Sequence, residues 1–252
     1  RPVNHIVQSS GKRLRAELVE MSFRLAGGKG EVSNDLLEFV ELLHAGSLVI
    51  DDIEDGSYMR RGQPTLHRVF GTPLAINTGN WMYFSALEKL QNLPLAPTQL
   101  AQVMGETLST IRRCHEGQAL DIAAKIVELD RLHVYPTVLA ITKFKTGGVT
   151  ALAAKLGAVL AGASTETQAA FHSFGMQLGI SLQIQNDFSE LKSGCVAGGR
   201  TDDLRNSRVT WPWAWASRLR SPRRFVELQC LMLDPTEETF ATVAEALHDE
   251  TK

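Results

Sequence analysis

An all-α fold is predicted by two features of the sequence. Apolar residues recur at three- and four-residue spacing along almost its whole length, and no stretch alternates apolar with polar residues between hairpin turns. The first periodic run extends from about Leu14 to Leu25 and the second from Leu36 to Ile53. Ser33 and Asn34 precede the second run as cap candidates, and Gly56 follows its end. Thr72 and Pro73 read as the cap and first-turn proline of a third helix near 73–92. Longer runs lie near 97–126, 135–161 and 165–192, and shorter ones near 209–219 and 236–249. Lys192 to Asn206, "KSGCVAGGRTDDLRN", combines glycines with charges and reads as a loop. With no internal repeat, low-complexity tract or long linker, residues 1–252 are expected to form one domain.

Composition narrows the function classes. The 252 residues carry a net charge of −2, with 44% hydrophobic and 21% charged residues. That is ordinary for a globular protein with a buried core, and the lack of a basic tract points away from a nucleic-acid partner. The best apolar candidate, "ALAAKLGAVLAGA", is interrupted by Lys155 and falls short of the roughly 20 residues of a membrane span. Cys114, Cys195 and Cys230 are sparse, odd in number and far apart, which predicts reduced thiols used for packing in a cytoplasmic setting.

The densest chemistry lies in "VIDDIEDGSYMRRG". Asp51 and Asp55 are four residues apart and share a helix face, and Asp52 adjoins them. His44 and Ser47 precede Asp51 by seven and four residues on the same side. Like charges at this spacing weaken a helix, and acidic groups at its C-terminus oppose the dipole. Either this is a frayed acidic end, or something neutralises it. Carboxylates so spaced suit Mg²⁺ completed by water and phosphate oxygens, and Arg60 and Arg61 could hold the same phosphates. "GKRLR" offers Lys12, Arg13 and Arg15, which by themselves read as a solvated face.

A second polar group interrupts the apolar run at "LQIQNDFSEL". Asn186 and Glu190 share one face, and Gln183 and Asp187 another. Polar groups in such a run must be paired or bind something. "KFKTGG" places Lys145 and Thr146 before Gly147 and Gly148, a helix break that could offer N–H groups to phosphate, or simply close helix packing.

These motifs, in this order from "GKRLR" to "NSRVTWP", resemble the trans-isoprenyl diphosphate synthase family. "LLHAGSLVIDDIEDGSYMRRGQPTLHRVFG" is most similar to the geranylgeranyl diphosphate synthases of animal and fungal type. The resemblance implies an all-α isoprenoid-synthase bundle around a central cavity, a homodimer, and condensation of dimethylallyl, geranyl or farnesyl diphosphate with isopentenyl diphosphate. It implies that Asp51, Asp52 and Asp55 hold Mg²⁺ on the allylic diphosphate, and that Arg60 contacts that diphosphate. Lys12, Arg15, His44 and Arg61 would form the isopentenyl diphosphate site. Lys145, Thr146 and Gln183 would grip the allylic substrate, and Gln118 and Asp121 in "HEGQALD" would line the same cavity or make a helix–helix contact. Gly46 and Ser47, small and one turn before Asp51, would leave the cavity open for a growing chain. Trp81, Tyr83 and Phe84 in "NWMYF" would form its floor or ordinary core, giving a C20 product, or C15 if Trp81 rises higher.

Several positions depart from the family pattern. The second motif, D-D-x-x-D in the family, reads Asn186-Asp187-Phe188-Ser189-Glu190, so its first ligand is a neutral amide. Asn186, Asp187 and Glu190 remain the metal candidates there. Arg208 stands where lysine is usual, and Arg200 falls near a second expected lysine. The family's N-terminal helix and part of its C-terminal region are expected to be lacking. Two other readings stay open. One is a class I terpene cyclase, whose Asn-Asp motif would need serine and glutamate where Glu190 and Gly194 stand. The other is a non-catalytic subunit modulating another synthase.

Overall fold

The computed structural model describes residues 2–8, 13–194 and 202–249. In chain order these form α1 (Pro2–Gln8), α2 (Leu14–Leu25), α3 (Asn34–Glu54), strands β1 (Met59–Arg60) and β2 (Gln63–Pro64), α4 (Leu66–Phe70), α5 (Thr72–Gln91) and α6 (Pro97–Ala123). Next come α7 (Arg131–Thr142), a π turn (Lys143–Gly147), α8 (Gly148–Leu160), α9 (Thr165–Gly194), α10 (Asp202–Arg205), α11 (Trp211–Leu219), α12 (Pro222–Leu231) and α13 (Glu237–Asp249). The helices form two compact units, one of residues 1–110 and 150–175, the other of residues 111–149 and 176–252. Among the described residues, no helix is long and apolar enough to cross a membrane.

In the first unit the principal pairing is α3 against α5. Two glycines let the helices approach closely. A Cβ added at Gly46 would lie 3.1 Å from the Gly79 carbonyl oxygen and 3.2 Å from the Met82 Cβ. One added at Gly79 would lie 2.9 Å from the Ile50 Cδ1. Leu36, Phe39 and Val40 of α3, and Ala75, Met82, Ala86 and Leu90 of α5, are buried. Gly157 of α8 faces α2 so closely that a Cβ would overlap the Val19 carbonyl oxygen.

The end of α3 has a defined stop. Gly56, at φ +64°, takes the left-handed conformation that ends many helices. Its N–H donates to the Ile53 carbonyl at 3.2 Å, and Ser57 N–H donates to the Asp52 carbonyl at 3.0 Å. The chain then folds back as an antiparallel ribbon pairing Met59 with Pro64 and Arg60 with Gln63. Arg61 and Gly62, at φ 51° and 77°, make the turn. Two-residue turns of this kind match the twist of paired strands. No strand was expected here, because two residues carry no visible alternation.

In the second unit the core gathers Ile126, Val134, Val138, Trp213, Phe225, Leu228, Val243 and Leu247. The structure changes several sequence-based expectations. The single helix near 135–161 divides into α7, the π turn and α8, and it begins at Arg131, where Asp130 caps Leu132 N–H at 2.8 Å. Helix α12 was not expected, and Ser221 caps it by accepting from Arg224 N–H at 3.3 Å. The stretch read as a loop from Lys192 holds the last turn of α9 and then α10, with residues 195–201 outside the described ones.

Candidate active site

The first unit carries the acidic cluster. Asp52 is buried, Asp51 is half-buried, and Asp55 is the C-cap of α3. The ribbon turns Arg60 back over them. Its Nε donates to Asp52 Oδ1 at 2.6 Å, and its Nη2 reaches Asp51 Oδ2 at 3.4 Å. Burial raises the Asp52 carboxyl to about 6 even with this guanidinium beside it, and Asp51 and Asp55 add to the rise. Cationic groups gather nearby. Burial, followed by the charges of Arg15, Arg61 and Arg60, holds the His44 imidazole well below its ordinary value. The charges of Arg15, Arg61 and Arg60 thus each reach His44. Lys12 lies outside the described residues.

The second unit carries a continuous polar network. Thr146 Oγ1 donates to Gln183 Oε1 at 2.8 Å, and Gln183 Nε2 donates to Asp187 Oδ1 at 2.7 Å. Trp211 N–H, the first of α11, donates to Asp187 Oδ2 at 2.9 Å. Asp187 therefore caps α11 from a distant helix, at the end that favours negative charge. The Trp211 indole donates to Thr142 Oγ1 at 3.0 Å. Burial raises the Asp187 carboxyl to about 7 against these donors, with Glu190 and Asp121 contributing. Glu190 accepts from Asp203 N–H at 2.9 Å, and Asn186 is exposed. Lys145 pairs with Asp121 at 2.8 Å, and Arg208, itself buried, donates to the Asp121 carbonyl at 2.6 Å.

Among the described residues, no three His, Cys, Asp or Glu side chains gather closely enough to hold a metal ion. The first cluster nevertheless fits one chemically. It offers oxygen donors alone, with Asp52 kept from ionising mainly by burial and to a lesser degree by its carboxylate neighbours, and a guanidinium already lying where positive charge is favoured. The second motif fits less well, because both oxygens of Asp187 and one of Glu190 are bonded within the unit.

Three expectations are corrected. Gly46 does not open a cavity, because its bare face lies against the backbone of α5. Trp81 and Phe84 are not core, being 53% and 71% exposed; Tyr83 is half-buried, and Met82 fills the buried position. "KFKTGG" does not break the helix, since the π turn carries it through, and Gly147 is buried against Met176 and Thr142. Ser47 is half-buried and donates to the His44 carbonyl at 2.8 Å. Sequence reasoning missed Thr142 and Trp211. The residues "TWP" were visible, but nothing local ties them to Asp187, 24 positions earlier.

Helices all along the chain, with acidic motifs near the ends of two of them, place this protein in the all-α isoprenoid-synthase class. The polyprenyl synthetase family model matches residues 1–248, and the chain belongs to that family. It is 32% identical over 219 residues to the geranylgeranyl pyrophosphate synthase of Eremothecium gossypii, covering 84% of this chain and 67% of that protein. It is also 32% identical over 219 residues to that of Penicillium crustosum, covering 84% and 59%. The chain thus spans about two thirds of the one relative and less than two thirds of the other. A crystal structure of polyprenyl synthase from Caulobacter crescentus, complexed with calcium and isoprenyl diphosphate, superposes with a TM-score of 0.81 at 26% identity, covering 98% of this chain and 74% of that one.

Proposed function

We propose that this chain is a Mg²⁺-dependent trans-prenyltransferase. It joins dimethylallyl, geranyl or farnesyl diphosphate to isopentenyl diphosphate and makes a prenyl diphosphate of about C20, with C15 second. The observation that carries this reading is the end of α3, where Arg60 pairs with Asp51 and Asp52, Asp55 caps the helix, and Arg15, Arg60 and Arg61 act on His44. Membership of the family supports it, as do the activities named for the fungal relatives. The calcium and isoprenyl diphosphate of the Caulobacter complex support the choice of a divalent cation and a diphosphate ligand.

Asp51, Asp52 and Asp55 would hold Mg²⁺, with Asn186, Asp187 and Glu190 as the weaker set. The metal supplies positive charge to a diphosphate leaving group. Arg60, released from its carboxylates, binds the allylic diphosphate, and Lys145, Thr146 and Gln183 orient it. Arg15, His44, Arg61 and Lys12 bind isopentenyl diphosphate, and Arg208 adds charge. The allylic C1–O bond breaks and diphosphate departs with the electron pair. The isopentenyl alkene forms the new bond to C1, and the proton it sheds passes to the released diphosphate. Water must be excluded while C1 is cationic. We further read the chain as one synthase domain over residues 1–252, homodimeric and cytoplasmic.

The test is incubation of purified protein with isopentenyl diphosphate and each labelled allylic diphosphate, with and without Mg²⁺. Chain elongation only with metal is the expected result. Release of cyclic hydrocarbon instead would point to a terpene cyclase. No turnover in any combination would favour the second reading, a non-catalytic modulator, which gains from the engagement of Asp187 and Glu190 in capping. Folded Asp51→Ala should lose most turnover, and rates like those of the unaltered protein would remove the metal assignment.

A further inference from the structure

We propose that Cys114 and Gly117 on α6 are positioning residues that shape the π turn and so set the placement of Lys145 and Thr146. The starting observation is that the helix does not continue as α through Lys143–Gly147. A π turn adds one residue to the helical ladder and shifts which N–H each carbonyl meets. Gly148 N–H donates to the Lys143 carbonyl, five residues back. Such a turn is rare inside helices and is frequently found at functional sites, so what packs against it matters.

Helix α6 supplies that support along one face. Cys114, Gly117 and Asp121 stand three and then four residues apart, so they line up on one side. The Cys114 thiol donates toward the Phe144 carbonyl at 3.3 Å and the Lys145 carbonyl at 3.1 Å. At Gly117 the bulging backbone comes closest. A Cβ there would lie 2.7 Å from the Phe144 Cβ and 2.9 Å from the Lys145 amide nitrogen. The second contact is with backbone, which no rotamer change can relieve. Asp121 then takes the Lys145 ammonium at 2.8 Å. The three residues thus meet carbonyls, backbone and side chain of the same turn. A regular α-helix would present its backbone differently to this face, so α6 fits the widened turn in particular.

This inference rests on the proposed role of Lys145 and Thr146 at the allylic diphosphate, and the experiment separates the two. Steady-state kinetics with farnesyl and isopentenyl diphosphate are compared with amide hydrogen exchange over residues 143–149. Cys114→Val removes the thiol donor in a similar volume. It should raise KM for farnesyl diphosphate by about threefold or more, the scale of one modest hydrogen bond, and leave that for isopentenyl diphosphate within about twofold. Exchange over 143–149 should quicken. Cys114→Ser keeps a donor and should stay within about twofold of the unaltered protein on every measure. Gly117→Ala should act in the same sense and more strongly, because a shift of about 1 Å at a substrate-holding group can cost about a hundredfold in rate. If Gly117→Ala does not fold, the Cys114 pair decides. The proposal is overturned if Cys114→Val changes neither exchange nor the farnesyl KM, or if it raises both KM values alike. If the unaltered protein condenses nothing, the functional reading fails instead, and the exchange comparison still decides whether α6 shapes the turn.

Discussion

Asn186 and Asp187 adjoin in sequence yet have opposite environments, one exposed and one buried with both oxygens accepting hydrogen bonds. Restoring a carboxylate at the exposed position adds charge where a cation can reach it. Asn186→Asp should lower the Mg²⁺ concentration for half-maximal rate by several-fold, about the effect of one added charge-assisted contact. A titration of rate against Mg²⁺ checks this, and an unchanged or raised midpoint would show that position 186 does not limit metal binding. The i, i+4 relation of Gln183 to Asp187 was legible in the sequence, because helical spacing fixes it, and the 2.7 Å bond between them follows. The engagement of Asp187 with Trp211 and of Glu190 with Asp203 was not legible. Those partners are fixed by tertiary packing, and no local period spans the gap.

Helix α3 shows what smallness in a sequence can and cannot say. Gly46 is small because α5 needs the room, since its missing side chain would meet the Gly79 carbonyl and Met82. Gly46→Phe should therefore destabilise the first unit, by about 1–3 kcal/mol or more, rather than shorten the product. Thermal unfolding measures the first effect and product mass the second. Ser47, half-buried and one position on, is the better test of chain length. Ser47→Phe should shorten the product by at least one C5 unit if the growing chain passes this turn, and an unchanged product at normal activity would move the floor elsewhere. Helices with long apolar periods, such as α2 and α3, were legible almost to the residue. The ribbon and α4 were not, because elements of two to five residues are too short to show a period. The π turn was legible only as an irregularity at "KFKTGG"; its form was not, because the contacts from α6 that meet it lie far away in sequence.

Over the whole molecule, the fold class was the most legible property, because helical periodicity recurs in nearly every segment. Charge balance was the least. Its consequences reach stability as well as binding. The His44 pKa is lower in the folded chain than its ordinary 6.5, so between those values the unfolded chain binds the extra proton. The His44 contribution to stability is complete above pH 6.5 and is lost as pH falls through the window below it. Urea midpoints from pH 5 to 8 should show His44→Gln losing less stability toward acid than the unaltered protein, with the two curves parallel above about pH 7. Equal acid slopes would assign the effect to other groups. The Arg60 guanidinium, lying between Asp51 and Asp52, carries one more consequence. It is the counterion of Asp51 and Asp52, so on the proposed function a divalent cation would enter by displacing it and would free a guanidinium for phosphate. Cation and diphosphate are then coupled ligands, and coupling is reciprocal. Inorganic diphosphate should tighten Mn²⁺ binding, followed by its paramagnetic signal, by about 5- to 150-fold. Arg60→Gln should tighten Mn²⁺ alone and shrink that factor, because the exchange has lost its outgoing ion.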